Sequence, residues 1–289
     1  MKTRIITAIF ILAVMVPVLI FSGTPVYPIA LSVFAVCAVF EMLRVLGLHR
    51  RMLVSVPAYI MAAALPTVHY FVPLEQKAYI LLLAAAVFAY LLYLMGVSVF
   101  SRGKLAPEDG DDINRPDAIS VSDAAQVFMT VTYIVVSFTA LSLLRYVENG
   151  NVIIWLVFIA AWGCDTAAYF VGYLIGRHKL IPEVSPKKTV EGAVGGIVFA
   201  AIFFVAYGLI IEGVTDLTAN FVALPIAGAS LAVVSQVGDL IASLIKREHG
   251  VKDYSNLLPG HGGIMDRFDS ILAVSTPLIF ICLLFPLFS

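Results

Sequence analysis

The sequence predicts an all-α integral membrane protein, a helical bundle of about nine transmembrane helices. Of its 289 residues, 61% are hydrophobic and only 13% are charged, and the mean hydropathy is +0.99. A soluble domain carries about one quarter charged residues, so this composition excludes a soluble fold. A crossing helix with its connection takes roughly 30 residues, so nine crossings leave no room for a separate soluble catalytic domain.

Nine apolar runs are long enough for a helix to cross the membrane. In hydrocarbon the backbone must satisfy its own hydrogen bonds, so runs of this length rich in Leu, Val, Ala and Phe favour helices over the short strands of a barrel. The first run exceeds a signal-peptide core and lacks a small-residue cleavage site, so we interpret it as a retained helix. The runs cover Ile5–Phe21, Pro28–Leu48, Met52–Phe71, Ala78–Phe100, Ala124–Leu144, Val152–Ile175, Gly192–Ile211, Asn220–Ile245 and Ser270–Phe288.

The long loop between the fourth and fifth runs divides the chain. Residues 1–123 hold the first four helices and this acidic loop, and residues 124–289 hold the last five helices. The loop contains the acidic run Glu108–Asp112, but Ile113 stands where a calcium-binding loop needs an oxygen ligand. We therefore interpret it as a solvated acidic loop.

Basic residues near the runs predict how the helices are oriented. When the 18 Lys and Arg residues are sorted by alternate sides of the nine runs, all except Lys77 and Arg145 fall on the side of the amino terminus. Basic residues close to membrane spans are retained in the cytoplasm. The sequence therefore predicts a multi-pass protein of the cytoplasmic membrane, with the amino terminus inside, the carboxyl terminus outside and the basic loops inside.

Charged side chains also occur within the apolar runs, where each costs about 2.5–3.5 kcal/mol at the bilayer centre. Glu41 and Arg44 lie three residues apart near a cytoplasmic end, so we expect them to pair with each other and reach the interface. Asp165 and Asp239 lie in the sixth and eighth runs. One such carboxylate is as readily structural as functional, but two on helices that both lead into basic loops favour a cation site.

The loop between the sixth and seventh runs combines basic residues with a helix start. It contains Ser185-Pro186-Lys187-Lys188-Thr189 and ends at Gly192, where the next helix is predicted to begin. A helix amino terminus offers unpaired N–H groups and partial positive charge, so lysines just before it suit a phosphate ligand. Lysines that only fix the topology explain this loop equally well.

The loop between the eighth and ninth runs carries the densest set of polar residues. Its segment Pro259-Gly260-His261-Gly262-Gly263 bends easily and exposes backbone N–H groups, but it is not a Walker loop. Asp266 and Asp269 follow on one face of the last helix, either as helix caps or as cation ligands, and Arg267 points elsewhere. Carboxylates and basic loops on one side suit Mg²⁺ together with a polyphosphate.

Three segments of the second half of the chain form a longer pattern. The last one reads Ser243-x-Ile245-Lys246-Arg247-x4-Lys252-Asp253-x-Ser255-x2-Leu258-Pro259-x-His261-Gly262-Gly263-Ile264-x-Asp266-Arg267-Phe268-Asp269. The two upstream segments are Ser185-Pro186-Lys187-Lys188-Thr189-x-Glu191-Gly192 and Asp165-Thr166-Ala167-Ala168-Tyr169. The last segment resembles the full signature of the phosphatidate cytidylyltransferase family, and the upstream segments resemble the same family, although Cys164 departs from the polar residue expected there. The resemblance covers about residues 160–270, whereas the first four runs are similar only in being hydrophobic.

The resemblance implies that the cytidylyl group of CTP is transferred to phosphatidic acid, giving CDP-diacylglycerol and pyrophosphate. It also implies Mg²⁺, a second monovalent cation such as K⁺, and a homodimer, with no nucleic-acid partner. The predicted metal ligands are Asp239 and Asp266, followed by Asp165 and Asp269. The predicted catalytic residues are Asp239, Asp266, Lys252 and Arg267. The predicted CTP-binding residues are Lys187, Lys188, Thr189, Lys246, Arg247, His261, Gly262 and Gly263.

Two alternative functions are compatible with parts of the sequence. A CTP-dependent polyprenol or phytol kinase would also combine CTP with a membrane lipid, but it would release CDP and no pyrophosphate. A secondary transporter would use Asp165 and Asp239 to couple cations to transport. The transporter leaves the dense polar segment from Lys252 to Asp269 unexplained.

Overall fold

The structure is a computed structural model that describes residues 13–72, 76–103 and 118–289. Its main helices are long and apolar, and the helix Gly150–Phe158 continues into the helix Cys164–Ile175 through a single π-helical turn at Ile159–Gly163. The helices are α1 (Val26–Val45), α2 (Met52–Phe71), α3 (Gln76–Gly103), α4 (Val121–Leu143), α5 (Gly150–Phe158), α6 (Cys164–Ile175), α7 (Val190–Val214), α8 (Ala223–Glu248) and α9 (Met265–Leu284).

Among the described residues, eight helical segments are long and apolar enough to cross a membrane. They coincide with the second to ninth predicted runs, and α5, the π turn and α6 together make the crossing Gly150–Ile175. Of the first run, Ile5–Phe21, residues up to 12 lie outside the described part and residues 13–20 are helical. The acidic segment Glu108–Asp112 also lies outside the described part. The prediction of an all-α multi-pass membrane protein is confirmed.

The last helix ends earlier than predicted. Its last helical residue is Leu284, and Phe285 is extended with φ −140° because Pro286 follows and disfavours the helical conformation. The final residues instead pair with the loop between α7 and α8: the amide of Thr218 donates to Ser289 O at 2.8 Å, and the amide of Ser289 donates back at 3.0 Å.

Helix α4 lies in the middle of the bundle, where it contacts α1, α2, α3 and α9. It begins with a capping box, in which Ser120 and Asp123 each accept a hydrogen bond from the other's backbone N–H. Buried polar side chains then join it to its neighbours: the Tyr27 hydroxyl donates to Leu141 O at 2.8 Å, and the Ser142 hydroxyl donates to Pro66 O at 2.7 Å. These bonds satisfy polar groups that hydrocarbon would leave unpaired.

Small residues allow α6 and α7 to approach closely. A Cβ at Gly192 would lie 2.6 Å from the carbonyl oxygen of Ala168, and one at Gly196 would lie 3.0 Å from the Cys164 sulfur. A Cβ at Gly172 would likewise meet the Thr189 hydroxyl at 2.7 Å. Glycines at four-residue spacing, Gly172 with Gly176 and Gly192 with Gly196, thus allow the two helices to pack closely.

A short antiparallel hairpin, which the sequence analysis treats only as a loop, precedes α7. Strand β1 (Lys179–Ile181) pairs with β2 (Ser185–Thr189), with Lys179 opposite Thr189. Strands this short lack the alternating pattern that identifies strands in a sequence. The hairpin places the lysines of β2 beside the transmembrane helices.

Candidate active site

A cavity of about 530 Å³ lies between α6, α7, α8 and the hairpin. Small-molecule sites typically have volumes of roughly 300–1,000 Å³, so this cavity has the size of a ligand site. One part of its wall is basic and another is acidic. The basic side chains are Arg177, Lys179, Lys187 and Lys188, and the acidic ones are Asp165 and Asp239.

The basic and acidic parts of the wall meet in an ion pair. Lys188 Nζ lies 2.5 Å from Asp239 Oδ2, and about one quarter of each side chain is exposed. The Ser243 hydroxyl donates to Asp239 Oδ1 at 3.4 Å, one turn further along α8. The structure thus brings together two residues that were predicted to bind CTP and metal, respectively.

Glu191, at the start of α7, anchors the hairpin. Its carboxylate accepts hydrogen bonds from the amides of Arg177 at 3.1 Å and His178 at 3.2 Å, and lies 2.6 Å from the His178 Nδ1 atom. Thr189, a predicted CTP contact, caps α7 by accepting a hydrogen bond from the Gly192 amide at 3.1 Å, and it also lines the cavity. These bonds fix the lysines of β2 relative to the helix.

Three of the four predicted metal ligands converge beside the cavity from three helices. Asp165 on α6 accepts a hydrogen bond from the Ser270 hydroxyl at 3.3 Å, and Asp269 on α9 accepts one from the Ser270 amide at 2.8 Å. Asp165 and Asp269 each repel Asp239 electrostatically, and Lys188 offsets part of this repulsion at Asp165. A cation bound between these carboxylates would reduce their mutual repulsion.

The donor set fits a hard cation such as Mg²⁺, which prefers oxygen ligands and keeps several waters, so that one or two carboxylates suffice. Within the described ranges, however, no three His, Cys, Asp or Glu residues form a ready-made metal cluster. The residues present fit Mg²⁺ by their chemistry, but water or phosphate oxygens would have to supply the rest of its coordination.

Asp266, the fourth predicted metal ligand, is held by other groups. Its Oδ1 atom lies 2.7 Å from Lys246 Nζ, and only 3% and 10% of the two side chains are exposed. Its Oδ2 atom accepts hydrogen bonds from the amides of Tyr254 at 2.8 Å and Gly263 at 2.9 Å. Both amides lie before the first residue of α9, so these bonds do not cap the helix, and direct metal binding by Asp266 stays a prediction that would require Lys246 to move.

Tyr254 completes this buried cluster. The Lys246 ammonium lies 5.3 Å from the centre of its ring, and its hydroxyl donates to Ala242 O at 3.0 Å. Burial, followed by the negative charge of Asp266, raises the pKa of the Tyr254 phenol well above its usual range. The phenol therefore remains a hydrogen-bond donor at neutral pH.

The glycines of the α8–α9 loop allow it to fold around carboxylates. Gly260 and Gly262 have φ values of 78° and 81°, which favour glycine. A Cβ at Gly262 would lie 2.6 Å from Asp266 Oδ2, and one at Gly263 would collide with both carboxylate oxygens of Glu41. His261 lies in the turn, where its amide donates to Leu258 O at 2.8 Å. A role of His261, Gly262 and Gly263 in nucleotide binding stays a prediction.

Glu41 has a role that the sequence analysis missed. Only 2% of this residue is exposed, and its carboxylate accepts hydrogen bonds from the Ser255 hydroxyl at 2.6 Å and from the amides of Ile264 at 3.0 Å and Met265 at 2.8 Å. The predicted pairing with Arg44 is wrong, because Glu41 points into the protein while Arg44 is exposed. The only signal in the sequence was an acidic residue within an apolar run.

The remaining predicted basic residues lie at the surface. Arg247, Lys252 and Arg267 are exposed, and the Arg247 guanidinium donates to Val251 O at 3.2 Å. The positive charge of Arg267 interacts favourably with the carboxylate of Asp165. Contacts of these three residues with phosphate stay predictions.

Comparison with known proteins identifies the family. The model of the cytidylyltransferase family matches residues 2–285. The chain is 32% identical to the phosphatidate cytidylyltransferase of Staphylococcus haemolyticus over 286 residues, which cover 98% of this chain and 99% of that protein. It is 33% identical to that of Staphylococcus aureus over 297 residues, with the same coverage. It is 44% identical to that of Bacillus subtilis over 138 residues, which cover 48% of this chain and 50% of that protein. The chain is thus a nucleotidyltransferase that belongs to the cytidylyltransferase family.

Proposed function

We propose that this protein transfers the cytidylyl group of CTP to phosphatidic acid, forming CDP-diacylglycerol and releasing pyrophosphate. The observation that carries this proposal is the cavity in which the basic hairpin meets Asp165 and Asp239 within a membrane-spanning bundle. Such a site holds a polyphosphate within reach of a membrane lipid. The names of the full-length relatives support the choice of lipid and nucleotide.

The reaction joins two anions. A phosphate oxygen of the lipid attacks the α-phosphorus of CTP, the bond between the α-phosphorus and the bridging oxygen breaks, and pyrophosphate leaves. The lipid phosphate is already anionic near neutral pH, so the protein needs no strong general base. Its main task is to position the two phosphates and to stabilise the charge that develops on the leaving group.

Each part of the wall has a role in this scheme. Lys187 and Lys188, with Arg177 and Lys179, bind the triphosphate as a basic surface along the cavity. Asp165, Asp239 and Asp269 would hold Mg²⁺, which would neutralise the α-phosphate and the leaving pyrophosphate. Asp266, Arg267 and Lys252 remain proposed catalytic residues, as Lys246 and Arg247 remain proposed phosphate ligands. A monovalent cation such as K⁺ and a homodimer belong to the same proposal.

We place the site on the cytoplasmic side of the cytoplasmic membrane, where CTP is available. The hairpin and the α8–α9 loop carry the basic residues that the positive-inside rule assigns to the cytoplasm. Cysteines introduced at the exposed residues Glu183 and Asp216 test this orientation. In intact cells, an impermeant maleimide should label Asp216→Cys but not Glu183→Cys; the opposite pattern would reverse the topology.

The experiment that tests the function uses the purified protein in detergent with CTP, phosphatidic acid and Mg²⁺. We expect CDP-diacylglycerol and pyrophosphate to form in equal amounts. Diacylglycerol, which lacks the attacking phosphate, should give no product, and chelation of Mg²⁺ should stop the reaction. Formation of CDP without pyrophosphate would indicate a kinase instead, and substrate flux into sealed vesicles without nucleotide would indicate a transporter.

A further inference from the structure

The contact between Glu41 and the α8–α9 loop joins the first part of the chain to the candidate site. Ile264 and Met265, whose amides donate to the Glu41 carboxylate, are 223 and 224 residues away in the sequence. Ser255, near the middle of the loop, donates to the same carboxylate. One side chain on α1 therefore holds the middle and the end of a segment that otherwise belongs to the second half of the chain.

The chemistry of this contact suits an ionised carboxylate. Burying a carboxylate is unfavourable unless hydrogen bonds replace its hydration, and Glu41 accepts three, from one O–H and two N–H groups. The amides of Ile264 and Met265 belong to the start of α9, where backbone N–H groups have no partner within the helix. A negative charge at this end also interacts favourably with the helix dipole.

The same contact determines where α9 begins. Gly263 lies between two carboxylates: its amide donates to Asp266, and its α-carbon faces Glu41 so closely that a Cβ would collide with it. Asp266 directly follows Met265, and Asp269 follows one turn later. A displacement of Met265 would therefore move both acidic residues of α9 relative to Asp239 on α8.

We infer that Glu41 is a positioning residue for the cytidylyl transfer reaction: it holds the α8–α9 loop and the start of α9 so that Asp269 stays beside Asp165 and Asp239. This inference rests on the proposed function for its kinetic consequence, but not for its structural one. Glu41 itself lies outside the cavity wall and touches protein groups, so its effect on the reaction passes through Asp266 and Asp269.

The test compares Glu41→Gln with Val39→Ala. Glutamine keeps the shape of Glu41 but removes its charge and turns an N–H group toward one of the three donors. Val39 is fully buried on the same helix and has no polar side-chain atom that could bond to the loop, so Val39→Ala is a control for lost packing. In purified protein below the unfolding temperature of both variants, we expect kcat of Glu41→Gln to fall by about 10- to 100-fold, whereas Val39→Ala keeps kcat.

Hydrogen–deuterium exchange gives a readout that does not depend on activity. Peptides covering residues 255–265 should exchange faster in Glu41→Gln and remain protected in Val39→Ala. If the wild-type protein shows no cytidylyl transfer, the proposed function fails, yet the exchange experiment still tests the anchoring. If the wild-type protein is active and Glu41→Gln keeps both kcat and protection, the positioning role is wrong.

Ser255→Ala provides a second variant in case Glu41→Gln does not fold. It removes one of the three donors and leaves the carboxylate bound by both amides. We expect a smaller loss of kcat, with faster exchange confined to the same peptides. If Ser255→Ala and Val39→Ala lose thermal stability and kcat to the same extent, Glu41 contributes only to packing and the inference is wrong.

Discussion

Lys188 Nζ lies 2.5 Å from Asp239 Oδ2, so a lysine of the hairpin forms an ion pair with a carboxylate of α8 inside the cavity. The lysines before α7 had two interpretations, a phosphate-binding loop or residues that only fix the topology. A lysine whose only role is to keep the loop on the cytoplasmic side needs no contact with a carboxylate of a membrane helix. The ion pair therefore favours the phosphate-binding interpretation, because it places Lys188 in the wall of the cavity proposed for the nucleotide and the cation.

Lys188→Ala is expected to raise KM for CTP by roughly 10- to 100-fold, because a hydrogen bond to a charged group contributes about 1.5–3 kcal/mol. Initial rates measured over a range of CTP concentrations check this. Arg50→Ala is the control, since Arg50 is exposed on a different loop and does not line the cavity. Equal KM values for the two variants would indicate that the hairpin lysines only determine the orientation of the helices in the membrane.

Asp239→Asn is expected to abolish turnover at ordinary Mg²⁺ concentrations, because the amide keeps the shape of the side chain but loses the charge that attracts the cation. Titration of activity with Mg²⁺ checks this prediction. Asp216→Asn, in the exposed loop between α7 and α8, should behave like the wild type. A normal Mg²⁺ titration in Asp239→Asn would remove Asp239 from the proposed cation site.

Asp266→Asn is expected to destabilise the protein by about 3 kcal/mol, because it leaves the buried Lys246 ammonium without its counter-charge. Thermal unfolding in detergent measures this effect, with Asp253→Asn as the exposed control in the same loop. Lys246→Met combined with Asp266→Asn should recover part of the loss, since neither charge then remains buried. An unchanged unfolding temperature in Asp266→Asn would mean that the pair contributes little to stability.

Gly192→Ala is expected to lower stability by about 1–3 kcal/mol and to reduce activity, because the added methyl would separate α6 from α7 along the cavity wall. Gly213→Ala, near the end of α7, is the matched control, since a Cβ there meets nothing within 4 Å. Unfolding temperature and initial rate are measured for both variants. A Gly192→Ala protein as stable as Gly213→Ala would show that the two helices can separate without cost.

The membrane helices and most of the candidate site are predictable from the sequence, because hydrophobicity and charge are patterns of residues that lie close together in the sequence. Apolar runs locate the helices, and Asp165 and Asp239 together, on helices that both lead into basic loops, indicate a cation site. The glycine pairs at four-residue spacing, Gly172 with Gly176 and Gly192 with Gly196, indicate close helix packing. Each of these signals lies within a few turns of a helix.

What the sequence does not reveal depends on distant contacts. Glu41 has an arginine three residues away, so local spacing favours the wrong partner, whereas its true partners lie more than 200 residues further along the chain. Asp266 shows the same difficulty: the sequence places it at a helix start, but only the fold brings Lys246 to it. The hairpin is too short for its pattern to be recognised, and Glu191, which anchors it, acts from the following helix.

The most direct test of the proposed reaction compares two samples of CTP, one radiolabelled at the α-phosphate and one at the γ-phosphate, each incubated with the purified protein, phosphatidic acid and Mg²⁺. Cytidylyl transfer predicts that the α-label enters the lipid fraction and the γ-label leaves as pyrophosphate, and that Lys188→Ala and Asp239→Asn reduce both. Entry of the γ-label into lipid, or no labelled lipid from either sample with folded protein, would contradict the proposed function.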